Sequence, residues 1–118
     1  MKTILIAEDN DSNYLLMTYI LRGHYNMVRA VNGQEALDRV AGGGIDMVLM
    51  DIKMPVMDGL EATARIKEHW PGMPVVALTA NAFDSDRETA LEAGCDDFLT
   101  KPVDRLACLE TIKRFVGQ

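Results

Sequence analysis

No apolar run in this sequence approaches the roughly 20 residues that a membrane-spanning helix requires, so none is expected within its 118 residues. It also lacks an excess of positive charge. Twelve Lys and Arg stand against 18 Asp and Glu, a formal net charge of -6, and no basic stripe interrupts that balance. A duplex phosphate backbone would be repelled, and direct nucleic-acid binding is not expected. Cysteine is scarce: Cys95 and Cys108 are neither in C-x-x-C spacing nor beside a histidine that could complete a zinc site, and they are read as buried free thiols. His24 and His69 lie in polar surroundings and are read as surface residues. Met1-Lys2-Thr3 runs directly into a strand-like segment without the apolar stretch and small-residue cleavage site of a secretory leader, so the protein is expected to be cytoplasmic. Internal repeats, linkers and low-complexity segments are missing too. The length therefore fits one domain, residues 1–118, with room for a sizeable core but not for a catalytic domain plus a separate cap or output module.

What is present is an alternation. Short β-branched or aliphatic runs take turns with longer stretches of helical periodicity, the pattern of repeated βα units around one parallel sheet buried on both faces, an α/β fold. Five strands are predicted at Thr3 to Ala7, Met27 to Val31, Met47 to Met50, Val75 to Thr79 and Phe98 to Thr100. Five helices are predicted at Asp11 to Arg22, Gln34 to Val40, Leu60 to Glu68, Asp84 to Ala93 and Asp104 to Phe115. Asp11, Asp84 and Asp104 stand where an N-cap is wanted, and Gly94 where a helix should stop. Gly42-Gly43-Gly44 precedes the third strand, at the amino end of the sheet, and is read as a connection rather than a phosphate cradle.

Ligand crevices of open α/β sheets lie at the carboxyl ends of the strands, and there the sequence places its most reactive residues. Glu8 and Asp9 follow the first strand, Asp51 the third, Thr79 ends the fourth and Lys101 follows the fifth. Carboxylates brought within a few ångströms raise one another's pKa and repel phosphate unless a cation intervenes. Oxygen-only donors favour a hard divalent ion, and Mg²⁺ typically uses one or two carboxylates together with water and phosphate oxygens, a role that suits Asp9 and Asp51. Taken alone, Glu8-Asp9-Asn10-Asp11 is equally a helix-capping acidic loop, and Asp51 equally a turn residue. Lys101 and Thr79 add the point charge and hydroxyl that a phosphoryl group needs, and Ala80 is small enough not to crowd its oxygens while offering a backbone N–H. A carboxylate can also attack phosphorus to give a labile acyl phosphate, which suits a switch better than a store.

In this order and spacing, Glu8-Asp9-Asn10, Asp51 with Met54-Pro55-Val56-Met57-Asp58-Gly59, Ala77-Leu78-Thr79-Ala80-Asn81-Ala82 and Lys101-Pro102 resemble the receiver domain of two-component response regulators over essentially the whole chain. The resemblance implies a flavodoxin-like sheet of order 2-1-3-4-5 flanked by five helices. It also implies that Asp51 is the phosphoacceptor. Asp9, Asp51 and the Lys53 backbone carbonyl would ligate Mg²⁺, Glu8 would hold a metal-bound water, and Lys101 would pair with the phosphoryl group across a cis Lys101–Pro102 bond. Thr79 and Phe98 would form the switch, with phenylalanine where many members carry tyrosine. Lys53 and Asn81 would tune the lifetime of the phosphoryl group. The donor would be a sensor histidine kinase or a histidine phosphotransfer protein.

The first helix carries Tyr14, Leu15, Leu16, Met17, Tyr19, Ile20 and Leu21, more apolar residues than one sheet-facing stripe needs. Either some stay exposed for a partner, with Ser12, Asn13, Leu16, Pro102 and Val103 the expected docking residues, or they are buried against the last helix. Two rival functions fit less well. An aspartyl-nucleophile phosphatase generally needs a second acid two residues on, where this chain has Lys53, and a flavin or nucleotide site needs a Gly-, Ser- and Thr-rich loop where it has Glu8-Asp9. Both a stand-alone receiver and the receiver of a hybrid kinase remain open on these residues.

Overall fold

Every strand is followed by a helix in the computed structural model, which describes residues 1–80 and 84–117, with side chains for all of these except 84–86. In chain order the elements are β1 (Thr3–Ala7), α1 (Asp11–Leu21), β2 (Asn26–Ala30), α2 (Gly33–Ala41), β3 (Met47–Asp51), α3 (Gly59–His69), β4 (Val75–Thr79), α4 (Asp84–Glu92), β5 (Asp97–Thr100) and α5 (Arg105–Val116). All strand pairs are parallel and the sheet order is β2-β1-β3-β4-β5, the flavodoxin-like order that the motifs implied. Parallel neighbours need long crossovers, which the helices provide, and those helices cover both faces.

The period-two alternation of each strand divides the core. Ile4, Ile6, Met47, Leu49, Val76 and Leu78 face α1 and α5, where Met17, Ile20, Leu21, Cys108 and Ile112 meet them. Leu5, Ala7, Val48, Met50, Val75 and Ala77 face the other way, against Ala36, Val40, Ala62, Ile66 and Ala90 of α2, α3 and α4. Each fully buried large aliphatic side chain contributes about 1.5–3 kcal/mol, so the central strands, buried along their whole length, carry much of the stability. Both cysteines are buried thiols and both histidines are exposed, as the sequence predicts.

The boundaries differ from expectation where a side chain competes with the ladder. β2 begins at Asn26, whose N–H donates to the Lys2 carbonyl, and ends before Val31, whose N–H donates to the Glu35 carboxylate instead. The N-cap of α1 is Asn10 rather than Asp11, its side-chain oxygen accepting from the Asn13 N–H at 2.9 Å. Asn32 and Asp58 cap α2 and α3 in the same way, and Asp104 caps α5 as predicted. The side chain of Asp84 lies outside the described set. Gly94, at φ +109°, follows α4 as expected of a stop.

Leu15, Leu16 and Tyr19 of α1 are 54, 38 and 60 % exposed. The alternative of burial against α5 therefore does not hold for them. Among the described residues no helix is long and apolar enough to cross a membrane.

Candidate functional site

The register of the sheet assembles the carboxyl-end cluster. Ala7 pairs with both Ala30 and Met50, so Glu8 leaves β1 between β2 and β3, its N–H bonded to the Ala30 carbonyl at 2.9 Å. Asp51 is the last residue of β3, beside Leu78 of β4, and Thr79 pairs with Thr100 just before Lys101. The Lys101 N–H then donates to the Thr79 carbonyl at 2.7 Å. Four strand ends thus deliver Glu8, Asp51, Thr79 and Lys101 to one edge, and the Lys101–Pro102 peptide is cis, as the resemblance implied.

The loop after Asp51 is held close by two glycines. A Cβ on Gly59 would sit 2.1 Å from the Asp51 carbonyl oxygen, and one on Gly33 would sit 2.3 Å from that of Met57. Their N–H groups donate to Ile52 and Met57 carbonyls at 2.8 and 2.9 Å. Between them Met57 N–H closes on the Pro55 carbonyl at 2.8 Å, a three-residue turn centred on Val56 at φ +69°, a left-handed conformation that a β-branched residue adopts only under constraint. A cleft of about 170 Å³ opens over Asp51, lined by Ile52, Lys53, Leu78, Thr79, Ala80 and Lys101.

Charge within the cluster is unbalanced. Lys101 Nζ lies 2.7 Å from Glu8 Oε1 and 3.1 Å from Asp51 Oδ2. Glu8, Asp9 and Asp51 each place a carboxylate oxygen within 4.8 Å of the others, so three acids face one ammonium. Burial pushes the Glu8 carboxyl above its ordinary range, the proximity of Asp51 adds to this, and Lys101 opposes it. For Lys101, burial alone would lower the pKa, but the bond to Glu8 and the charge of Asp51 outweigh it and raise the ammonium. The buried Glu8 Oε1 is thus paired with the Lys101 ammonium. Three convergent oxygen donors with surplus negative charge fit a hard divalent cation.

The remaining expected site residues fall as follows. Lys53 is exposed on the cleft wall, its N–H 3.3 Å from Asp51 Oδ1. Phe98 is half-buried on β5 with the Arg87 guanidinium 5.3 Å above its ring. Asn81 lies outside the described residues. Asn13, Leu16, Pro102 and Val103 line one depression together with Lys101, while Ser12 is exposed but outside it. Val103, at 9 % exposure, also packs into the α1–α5 core, so the more accessible share of that surface is Ser12, Leu16 and Pro102. Sequence reasoning missed Arg29, which bonds to the Glu8 carbonyl and Asp11 carboxylate. A lone cation in the otherwise apolar run Met27-Val28-Arg29-Ala30-Val31 was the available signal.

The chain is similar to known proteins along nearly its whole length. The polar-differentiation response regulator DivK of Brucella anthropi is 36 % identical over 119 residues, covering 98 % of this chain and 97 % of DivK. The receiver domain of the sensor histidine kinase PA1611 from Pseudomonas aeruginosa, solved with a magnesium ion coordinated in its active-site cleft, is 35 % identical with a TM-score of 0.91, covering 99 % of this chain and 98 % of that one. The receiver domain of the Saccharomyces cerevisiae response regulator Ssk1, solved with the histidine phosphotransfer signalling protein Ypd1, is 34 % identical with a TM-score of 0.92, covering 98 % and 88 %. Residues 4–113 match the response regulator receiver domain as a family, and the chain belongs to it.

Proposed function

We propose that this receiver domain, residues 1–118, is a phosphoacceptor switch of a two-component phosphorelay, taking a phosphoryl group from a phosphohistidine onto Asp51. One observation carries the reading: Asp51, 7 % exposed, forms the floor of a cleft with Lys101 3.1 Å away and two further acids in reach of the same point. A carboxylate oxygen of Asp51 attacks phosphorus, the P–N bond of the donor breaks as the O–P bond forms, and the imidazole leaves. Asp9, Asp51 and the Lys53 carbonyl would hold Mg²⁺, with Glu8 acting through water. The ion supplies the positive charge that lets an anionic phosphoryl group approach anionic carboxylates.

The protein's own groups do the rest. Lys101, already held against Asp51, offers its ammonium to the phosphoryl oxygens, and the Thr79 hydroxyl and Ala80 N–H offer donors from the facing wall. Movement of Thr79 toward the new phosphoryl group frees space for Phe98, which changes the surface that a target meets. Lys53 and Asn81 set how readily water reaches the acyl phosphate. The exposed Leu16 and Pro102 form the landing surface for a histidine kinase or phosphotransfer protein, a class of partner that the Ypd1 complex of the Ssk1 receiver supports. The domain acts in the cytoplasm, either as a stand-alone regulator, as the match to DivK along nearly its whole length favours, or as the receiver of a hybrid kinase, as the PA1611 likeness favours.

Incubation with a small acyl phosphate donor and Mg²⁺, followed by intact-mass measurement, tests the proposal. One added phosphoryl group is expected on the wild type and none on Asp51→Asn. An unmodified wild type with donor and Mg²⁺ in excess would end it.

A further inference from the structure

The acidic turn that follows β1 is gripped from outside by a single residue of the edge strand. Arg29 Nε donates to the Glu8 backbone carbonyl at 3.1 Å, and Nη2 of the same guanidinium pairs with Asp11 Oδ1 at 2.9 Å. Its plane lies over the Tyr14 ring with the central carbon 4.5 Å from the centroid. Glu8 and Asp11 are the two ends of the turn and Tyr14 is one helical turn further, so a rigid fork spans the entry to α1. The neighbouring residue of β2 completes the grip, because the Ala30 carbonyl takes the Glu8 N–H. Glu8 is thus fixed through both its backbone groups by two consecutive residues of one strand, while Asp9 projects from the middle of the clamped segment.

We propose that Arg29 is a positioning residue for divalent-cation binding: by clamping the Glu8–Asp11 turn it presents the Asp9 and Glu8 carboxylates toward Asp51, and by pairing with Asp11 it confines that acid to the outside of the site. The inference rests on the proposed metal-binding role of Glu8, Asp9 and Asp51. Its energetic logic is that of outer contacts at metal centres, which fix ligand orientation and whose loss typically costs about tenfold or more in affinity. The ion pair itself adds little direct stability, since the Asp11 side chain is 93 % exposed. Geometry is the contribution, and lysine could not reproduce it: an ammonium cannot bond both ends of the turn in one plane and stack on Tyr14 at once.

Charge and geometry can be separated. Arg29→Gln alone removes a cation near the acids, which by itself favours metal binding, whereas Arg29→Gln combined with Asp11→Asn keeps the net charge of the wild type. Titration of the full chain with Mg²⁺ alone, followed calorimetrically and by the amide resonance of Asp9, is expected to show about tenfold weaker binding in the double variant and in Arg29→Lys. Their metal-free melting temperatures should stay close to wild type. Equal Mg²⁺ affinity in wild type and both variants would overturn the clamp while leaving the metal site intact. Absence of Mg²⁺ binding by the wild type itself would instead overturn the functional reading on which the clamp rests. If the double variant fails to fold, Arg29→Lys decides the matter.

Discussion

Carboxylates stand at both ends of the sheet, and they do opposite things. At the amino end, where strands begin, Asp46 accepts the Thr3 N–H and Asp96 accepts the Val75 N–H, each at 2.8 Å, and Asp96 is also paired with Lys67 at 2.7 Å. Strand beginnings expose N–H donors, so an acid there is satisfied by the sheet it caps. At the strand ends Asp58 and Asp104 also take N–H donors, from the helices they cap, but among the described residues the backbone holds the site acids only by long bonds, Asn10 N–H to Glu8 Oε2 and Lys53 N–H to Asp51 Oδ1 at 3.3 Å each. Glu8, Asp9 and Asp51 gather there within reach of one another, around the Lys101 ammonium. The same residue type is held by strand N–H groups at one end and, beyond the helix caps, gathers into an acidic cluster at the other.

Glycines sharpen the contrast and give the largest expected effect. Gly59→Ala would drive a Cβ into the Asp51 carbonyl, and that backbone cannot retreat without moving the site, so a loss of about 3 kcal/mol or more is expected in denaturant unfolding. Gly72, at the amino end, has nothing within 4 Å of its would-be Cβ. Alanine there should change stability by no more than about 0.5 kcal/mol. Comparable losses in the two variants would break the distinction between a packed and an open end.

Next in size is Asp96→Ala. It strips the partner from the buried Val75 N–H as well as from Lys67, and an unsatisfied buried donor costs about 1–3 kcal/mol. Chemical denaturation should register that loss, while Mg²⁺ affinity at the other end should not move. A shift in Mg²⁺ binding would mean that the two ends are coupled.

Alkaline unfolding offers a third comparison. Burial pushes the Cys108 thiol from 9.0 up to about 12. Between these values the unfolded chain loses a proton that the native chain keeps, so stability is full below pH 9 and falls as pH rises, by about 1 kcal/mol at pH 10. Lys101, whose raised pKa gives a contribution present below 10.5 and lost as pH climbs through the raised value, acts in the same direction. Melting curves of Cys108→Ala should therefore show a lower baseline but a shallower alkaline slope, the slope that remains being shared by Lys101, Cys95 and Tyr25, all of them raised. An unchanged slope would remove the thiol from the account.

The same contrast decides what was legible in the sequence. Strand ends are readable because apolar runs stop abruptly, so Glu8, Asp51, Thr79 and Lys101 fall at one edge on the sequence alone. Boundaries set by side-chain competition were not readable: nothing in the run Met27 to Val31 shows that the Val31 N–H will prefer Glu35 to the ladder. Asn10 and Asp11 are both good capping residues, and only the geometry of the turn chooses between them. Val103 sits beside the site lysine in sequence, but the turn into α5 directs it to the core. Arg29 stayed invisible for a different reason, since its partners, the Glu8 carbonyl and Asp11, are 21 and 18 residues away and strand pairing alone brings them near.

The smallest effect on stability is also the one that tests the comparison most directly. Asp9 shares its corner with Glu8 and Asp51, and in the metal-free protein it adds negative charge to a corner that already holds two other acids. Asn at this position keeps the shape and deletes the charge. Metal-free Asp9→Asn is therefore expected to gain about 0.5 kcal/mol, as substitutions that relieve a functionally strained site commonly do, while its Mg²⁺ affinity drops by about tenfold or more. Asp96→Ala should do the reverse, losing stability and sparing metal binding. If Asp9→Asn destabilised the metal-free protein instead, Asp9 would be satisfied locally in the manner of Asp46 and Asp96, and the carboxyl-end acids would owe their positions to the fold rather than to a cation.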